Sequence, residues 1–177
     1  MKEKEDILIS EEEIGKKILE IAGRINRDYK GRDLILICVL KGGVMFMCDL
    51  AKRLDLNVRL DFMSVSSYGA ETTSSGVVKI IKDLDDSIAG KDVLVVEDII
   101  DSGFTLKKVL KLFGSREPKK VSLCTLLNKP ERREVEVDVQ YIGFEIPNEF
   151  VVGYGLDYNE NYRNLEYIGI ANPEVFE

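Results

Sequence analysis

Val93-Leu-Val-Val-Glu97-Asp98-Ile-Ile-Asp101-Ser102-Gly103-Phe104-Thr105 runs from a wholly apolar segment through three carboxylates into a Ser-Gly-x-Thr turn. The segment Asp92–Val96 reads as a strand covered on both faces, and Thr105–Phe113 reads as the helix that follows. A turn opening a helix offers unpaired N–H groups, two hydroxyls and the positive end of the helix dipole, which together suit a phosphate. Carboxylates beside a phosphate repel it unless they hold sugar hydroxyls or a metal shared with the ligand. The whole string therefore points to a phosphorylated sugar with Mg²⁺.

Working outward, Leu34–Leu40 is apolar at every position and reads as a second buried strand, broken by Lys41-Gly42-Gly43 and followed by a helix over Val44–Leu54. The two glycines allow close approach of backbone to an anion, and Lys41 adds charge. Ser10-Glu-Glu-Glu13 is a capping box, and Ile14, Ile18, Ile21, Ala22 and Ile25 follow at helical spacing to about Arg27. Val58–Val65 alternates like a strand, Ser66–Gly76 is a loop of small residues, and Val77–Asp83 and Val121–Leu127 read as further strands. Buried strands alternating with helices predict an α/β fold with a mainly parallel, twisted sheet flanked by helices. Strands near Val139–Phe144 and Val151–Gly153 read as an add-on and not as another βαβ unit. No repeat or linker divides residues 1–177, so a single domain is expected.

The chain carries 25 Lys+Arg, 32 Asp+Glu and no His among 177 residues, a net charge of −7. Without His, proton transfer falls to a carboxylate, Lys, Tyr or Cys. Cys38, Cys48 and Cys124 lack metal or redox spacing and read as buried, reduced thiols of a cytoplasmic protein. No apolar run approaches the roughly 18 residues of a membrane helix, and the N-terminus has no apolar leader core. The acidic balance disfavours nucleic acid as a partner. No Walker loop is present, since Asp85 stands where Gly90-Lys91 would need the first glycine, and Gly153-Tyr-Gly155 fails the dinucleotide fingerprint.

The string from Val93 to Thr105 resembles the phosphoribosyl diphosphate (PRPP) signature of type I phosphoribosyltransferases. Leu40-Lys41-Gly42-Gly43, Phe62–Gly69, Lys129-Pro130, Gly143–Pro147, Phe150–Tyr158 and Tyr162-Arg163 extend the likeness to the hypoxanthine-guanine phosphoribosyltransferases over nearly the whole chain. The resemblance implies a small hood built from the terminal segments, a flexible lid at about 66–76 carrying Ser67 and Tyr68, and a cis peptide before Lys41. It implies that Lys41, Gly42 and Arg163 bind pyrophosphate. The 5′-phosphate and ribose would be held by Glu97, Asp98, Asp101, Ser102, Gly103, Phe104 and Thr105, with Asp101 as catalytic base. Lys129, Phe150, Val151 and Asp157 would bind the purine, and Glu97, Asp98 and Asp157 would hold Mg²⁺. Phe104 departs from members with Lys there, and Ser102 from members with Thr. The implied activity is purine salvage by a homodimer or homotetramer: transfer from PRPP to N9 of hypoxanthine or guanine. A xanthine-preferring enzyme and a PRPP-sensing nucleic-acid-binding regulator are the alternatives. The −7 charge argues against the regulator: no retardation of RNA or DNA is expected in a gel shift at physiological salt, and a salt-sensitive shift would favour it.

Overall fold

The computed structural model describes residues 7–66 and 79–171. Ser67 and Tyr68, with all of the expected lid beyond Ser66, lie outside the described residues. In chain order the strands are β1 (Ile7–Ile9), β2 (Leu34–Val39), β3 (Val58–Ser66), β4 (Lys79–Lys82), β5 (Asp92–Ile100), β6 (Lys120–Asn128), β7 (Tyr141–Glu145), β8 (Val151–Val152) and β9 (Ile168–Ile170). The helices are α1 (Glu11–Asp28), α2 (Val44–Ala51) and α3 (Phe104–Gly114).

The main sheet has the order β4-β3-β2-β5-β6-β7 and is parallel except for the antiparallel β3–β4 pair. Its apolar strands are explained by two cores, one on each face. Leu34, Leu36 and Cys38 of β2, with Leu94 and Val96 of β5, face Ile14, Ile18, Ile21 and Ile25 of α1 and Phe46, Met47 and Leu50 of α2. The intervening Ile35, Ile37, Val93 and Val95 face Leu106, Val109 and Phe113 of α3. Period-2 alternation between two apolar layers leaves no polar position, which is why these strands read as unbroken runs.

The capping box of α1 is present: Ser10 Oγ accepts the Glu13 N–H at 3.3 Å, and Glu13 Oε2 accepts the Ser10 N–H at 2.8 Å. Helix α2 stops at Ala51, three residues short of the expected Leu54. β5 runs four residues beyond the expected Val96, so Glu97 and Asp98 belong to the strand and not to the loop. β7 was expected as an addition. It instead joins the main sheet parallel to β6, with Leu127 opposite Phe144, although no α-helix crosses between them. Its inward Tyr141 is buried in the α1-side core, so burial and ladder pairing override the missing crossover helix.

β1, β9 and β8 form the separate three-stranded antiparallel hood. It is tied to the main layer by Tyr154, whose hydroxyl donates to Asp49 Oδ2 of α2 at 2.7 Å. No described helix is long and apolar enough to cross a membrane.

Ser10→Ala should cost about 1 kcal/mol through loss of the α1 cap. The measurement is a urea titration with a lower midpoint at unchanged m-value.

Candidate active site

Strand order decides where the polar loops meet. From β2 the chain passes outward to β3, and from β5 outward on the other side through β6 to β7, so the order reverses between β2 and β5. Loops diverging at such a point leave a crevice beyond the strands' carboxyl ends. The loop after β2 carries Lys41, Gly42 and Gly43, the end of β5 carries Glu97 to Asp101, and Lys129 follows β6. The peptide joining Leu40 to Lys41 is cis, as the resemblance implied.

The loop after β5 is built to present its amides. Gly103 lies at φ +88°, left-handed backbone that favours glycine, and a Cβ there would crowd Val135 and Val137. The Ser102 carbonyl turns inward and accepts from the N–H groups of Glu134 and Val135 at 3.1 and 3.3 Å. Among the described residues, the N–H groups of Asp101 through Thr105 donate to no backbone carbonyl, and the Ser102 and Thr105 hydroxyls have no hydrogen bond. They surround a cavity of about 190 Å³ that also touches Glu97. Phe104, half-exposed, begins α3. Asp101 does not cap that helix. Its Oδ1 accepts from Arg132 Nε at 3.0 Å, from a short 3₁₀ turn over Pro130–Arg132.

Glu97 and Asp98 are neighbours at the carboxyl end of β5, where Glu97 lines the cavity beside the Asp101–Thr105 loop and Asp98 lies against Gly42. Desolvation, and then the neighbouring Asp98 charge, raises Glu97 well above the usual carboxylate range. Desolvation also raises Asp98, opposed by hydrogen bonds from the N–H groups of Ile99 and Asp98 itself and by the Arg163 charge. The Asp98 carboxylate rests against Gly42: a Cβ on that glycine would lie 1.6 Å from Asp98 Oδ2. Gly42 therefore permits the β2 loop and the acidic pair to share the same space. On its other side Gly155, at φ +99°, meets the Gly42 carbonyl so closely that a Cβ would lie 2.0 Å from it.

Asp157, Glu160 and Arg163 follow Gly155 in one turn. Arg163 Nη1 donates to the Gly155 carbonyl at 2.7 Å, and its Nη2 pairs with Asp157 Oδ1 at 2.9 Å. Asp157 Oδ2 accepts the Glu160 N–H at 2.9 Å. With both oxygens engaged, Asp157 does not join Glu97 and Asp98 in a ready cage. Among the described residues no three His, Cys, Asp or Glu side chains converge on a metal position. The Glu97–Asp98 pair still matches a hard cation, since its oxygens are desolvated and mutually repulsive, and Mg²⁺ ordinarily takes only one or two carboxylates besides water and phosphate.

Lys129 is 8% exposed, yet its ammonium has no ion pair or hydrogen bond among the described residues. Its backbone N–H is anchored on the Ile100 carbonyl at 3.1 Å, which fixes it beside the phosphate loop. The stem is buried while the ammonium keeps contact with solvent, where a ligand's acceptor can reach it. Phe150 keeps 48% of its surface exposed, with Tyr158 edge-on at 5.9 Å between ring centroids. Val151 beside it is buried in β8 and pairs with Ile170.

Sequence reasoning missed Arg132 and Glu160, both set by turn geometry. The only signal for Glu160 was an acid three residues from both Asp157 and Arg163. The thiols are no rivals as nucleophiles: Cys38 and Cys124 are buried, and burial pushes both far up. Cys48, expected to be buried, is only half-buried.

A family model of the phosphoribosyl transferase domain matches residues 6–159. Hypoxanthine-guanine phosphoribosyltransferase of Bacillus subtilis is 52% identical over 173 residues, covering 98% of this chain and 96% of its own. The chain belongs to the hypoxanthine-guanine phosphoribosyltransferase family. A crystal structure of a hypoxanthine phosphoribosyltransferase from Staphylococcus aureus superposes with a TM-score of 0.93 at 49% identity, covering 97% of this chain and 94% of that one. The bifunctional TilS/HprT protein of Listeria monocytogenes is 56% identical over 170 residues, 96% of this chain, which spans only 26% of that protein's length.

A phosphoribosyltransferase crevice that holds two repelling acids costs stability when empty. Glu97 is raised in the folded state, so the folded protein binds the proton more tightly than the unfolded chain. Stability is then lost as pH rises from the unfolded value through the folded one. Glu97→Gln should raise the melting temperature of the unliganded protein at pH 7, with the gain vanishing below about pH 4, where both states are protonated. Differential scanning calorimetry at the two pH values checks this.

Proposed function

We propose that this protein transfers the 5-phosphoribosyl group from PRPP to N9 of hypoxanthine or guanine, giving IMP or GMP and pyrophosphate. The observation that carries the reading is Lys129, a buried residue whose ammonium has no partner among the described residues, one strand away from a loop of free amides and a desolvated acidic pair. An ammonium offers only donors and so selects a base with a carbonyl at position 6.

In this reading the N–H groups of Asp101 to Thr105, with the Ser102 and Thr105 hydroxyls, hold the 5′-phosphate at the N-terminus of α3. Phe104 contributes its backbone N–H alone. Glu97 and Asp98 orient the ribose hydroxyls and would hold Mg²⁺, with Asp157 as a further ligand once Arg163 turns to the substrate. Bound Mg²⁺ neutralises charge on the departing pyrophosphate. Lys41, the Gly42 backbone and Arg163 receive that group, as two cations around a close-approach glycine would. Phe150 offers its exposed face to the purine, the Val151 backbone meets the base edge, and Lys129 donates to O6.

Chemically, the N9 lone pair forms the bond to C1′ while the C1′–O bond breaks and its electrons leave with pyrophosphate. The proton on N7 passes to the Asp101 carboxylate. Most of the barrier reduction is positional and electrostatic, and proton transfer adds a smaller share. Ser67 and Tyr68 belong to the lid that excludes water from the ribosyl centre. We also infer cytoplasmic purine salvage by a homodimer or homotetramer. Free cysteines suit a reducing compartment, and exposed Leu60, Ile80 and Ile81 on neighbouring β3 and β4 leave apolar surface for a second copy.

Asp101→Asn keeps the side chain's shape and its acceptor for Arg132 but cannot take up a proton. The expected result is a loss of about 10²-fold or more in single-turnover rate with PRPP·Mg²⁺ affinity little changed. A rate within a few-fold of the parent would remove Asp101 as the base.

A further inference from the structure

Two cations assigned to pyrophosphate, Lys41 on the loop after β2 and Arg163 after β8, are already bridged by one carboxylate. Glu160 Oε2 lies 2.7 Å from Lys41 Nζ, and Glu160 Oε1 lies 3.3 Å from Arg163 Nη2. The bridge spans 119 residues of chain and joins the two loops that Gly42 and Gly155 bring into contact. We propose that Glu160 is an internal stand-in for pyrophosphate, holding Lys41 and Arg163 in convergent positions when the crevice is empty and exchanging them for the incoming diphosphate. This deepens the proposed function and rests on its reading of Lys41 and Arg163.

Three features suit exchange better than permanent bracing. The Lys41 and Glu160 side chains are 64% and 65% exposed, so their pairing is screened and contributes little to stability. A diphosphate carries more charge than one carboxylate and offers several acceptors to the Arg163 fork, so it outcompetes Glu160 on the same two cations. The backbone that delivers Glu160 is left-handed, at φ +48° for Asn159, +62° for Glu160 and +74° for Tyr162. Such a run is uncommon for non-glycine residues and clusters where structure over-determines it for a purpose. Its anchor is the Asp157 carboxylate on the Glu160 N–H, so the turn keeps its path whether or not the Glu160 side chain is paired.

The exchange has a thermodynamic sign. Breaking the Glu160 contacts is charged against pyrophosphate binding, so the carboxylate weakens the product complex and favours product release. Removing it tightens pyrophosphate binding. A residue that only braced the site would act oppositely, since its loss would let Lys41 swing away from Arg163, which Asp157 and the Gly155 carbonyl still hold.

The test is isothermal titration of the full chain with inorganic pyrophosphate and Mg²⁺, for the parent, Glu160→Gln and Glu160→Asn. The Asn variant suits the left-handed backbone and removes the same charge. Both variants should bind about three- to ten-fold more tightly than the parent, the range expected for two weak, screened ion pairs. The gap should close as NaCl is raised. Equal or weaker binding by both variants, with binding by the parent intact, overturns the stand-in role alone. No pyrophosphate binding by the parent overturns the reading of Lys41 and Arg163 and the stand-in with it.

Discussion

Glu97 and Asp98 stand next to each other at the end of a strand sandwiched between two apolar layers, where desolvation raises both, the Asp98 charge raises Glu97 further and the Asp157 charge raises Asp98. The surroundings answer that cost. Gly42 has no side chain because Asp98 Oδ2 occupies the place of its Cβ, and Gly155 has none because the Gly42 carbonyl occupies that place. Three chain segments thus meet as carboxylate against backbone against backbone, with Gly42 in the middle. The cations that balance the acids stand on two of these segments, Lys41 on the middle one beside Gly42 and Arg163 on the one that carries Gly155. The free-amide loop from Asp101 to Thr105 adds partial positive charge from the third direction. An anionic ligand carrying a divalent cation is the chemistry that satisfies all of these groups together.

Much of this was legible from local pattern. The capping box, the isoleucine stripe of α1 and the unbroken apolar runs of β2 and β5 follow from short-range periodicity, and the structure shows each of them, with β5 longer and β2 one residue shorter than read. The Ser-Gly-x-Thr turn was legible too, because an orphaned first helical turn is a local property. So was the hood, through the resemblance of the chain's ends to its family.

What local pattern missed is long-range. β7 has no helix before it to mark a crossover, and only its pairing with β6 and the burial of Tyr141 place it in the main sheet. Nothing near Asp101 in sequence announces Arg132, which arrives by way of the turn after β6. Asp157, expected at the purine and the metal, has both of its oxygens engaged by its own turn. Glu160 is invisible for the same reason: its meaning comes from Lys41, 119 residues away.

Everything above converges on one crevice, formed by the carboxyl ends of β2, β5 and β6, that joins PRPP to a 6-oxopurine. The most direct measurement is a spectrophotometric screen of hypoxanthine, guanine, xanthine, adenine and uracil, each with PRPP and Mg²⁺. The account predicts nucleotide and pyrophosphate from hypoxanthine and guanine, and very little from adenine, whose amino group would face Lys129 donor against donor. Comparable kcat/KM for adenine and hypoxanthine, or no nucleotide from either 6-oxopurine, would contradict it.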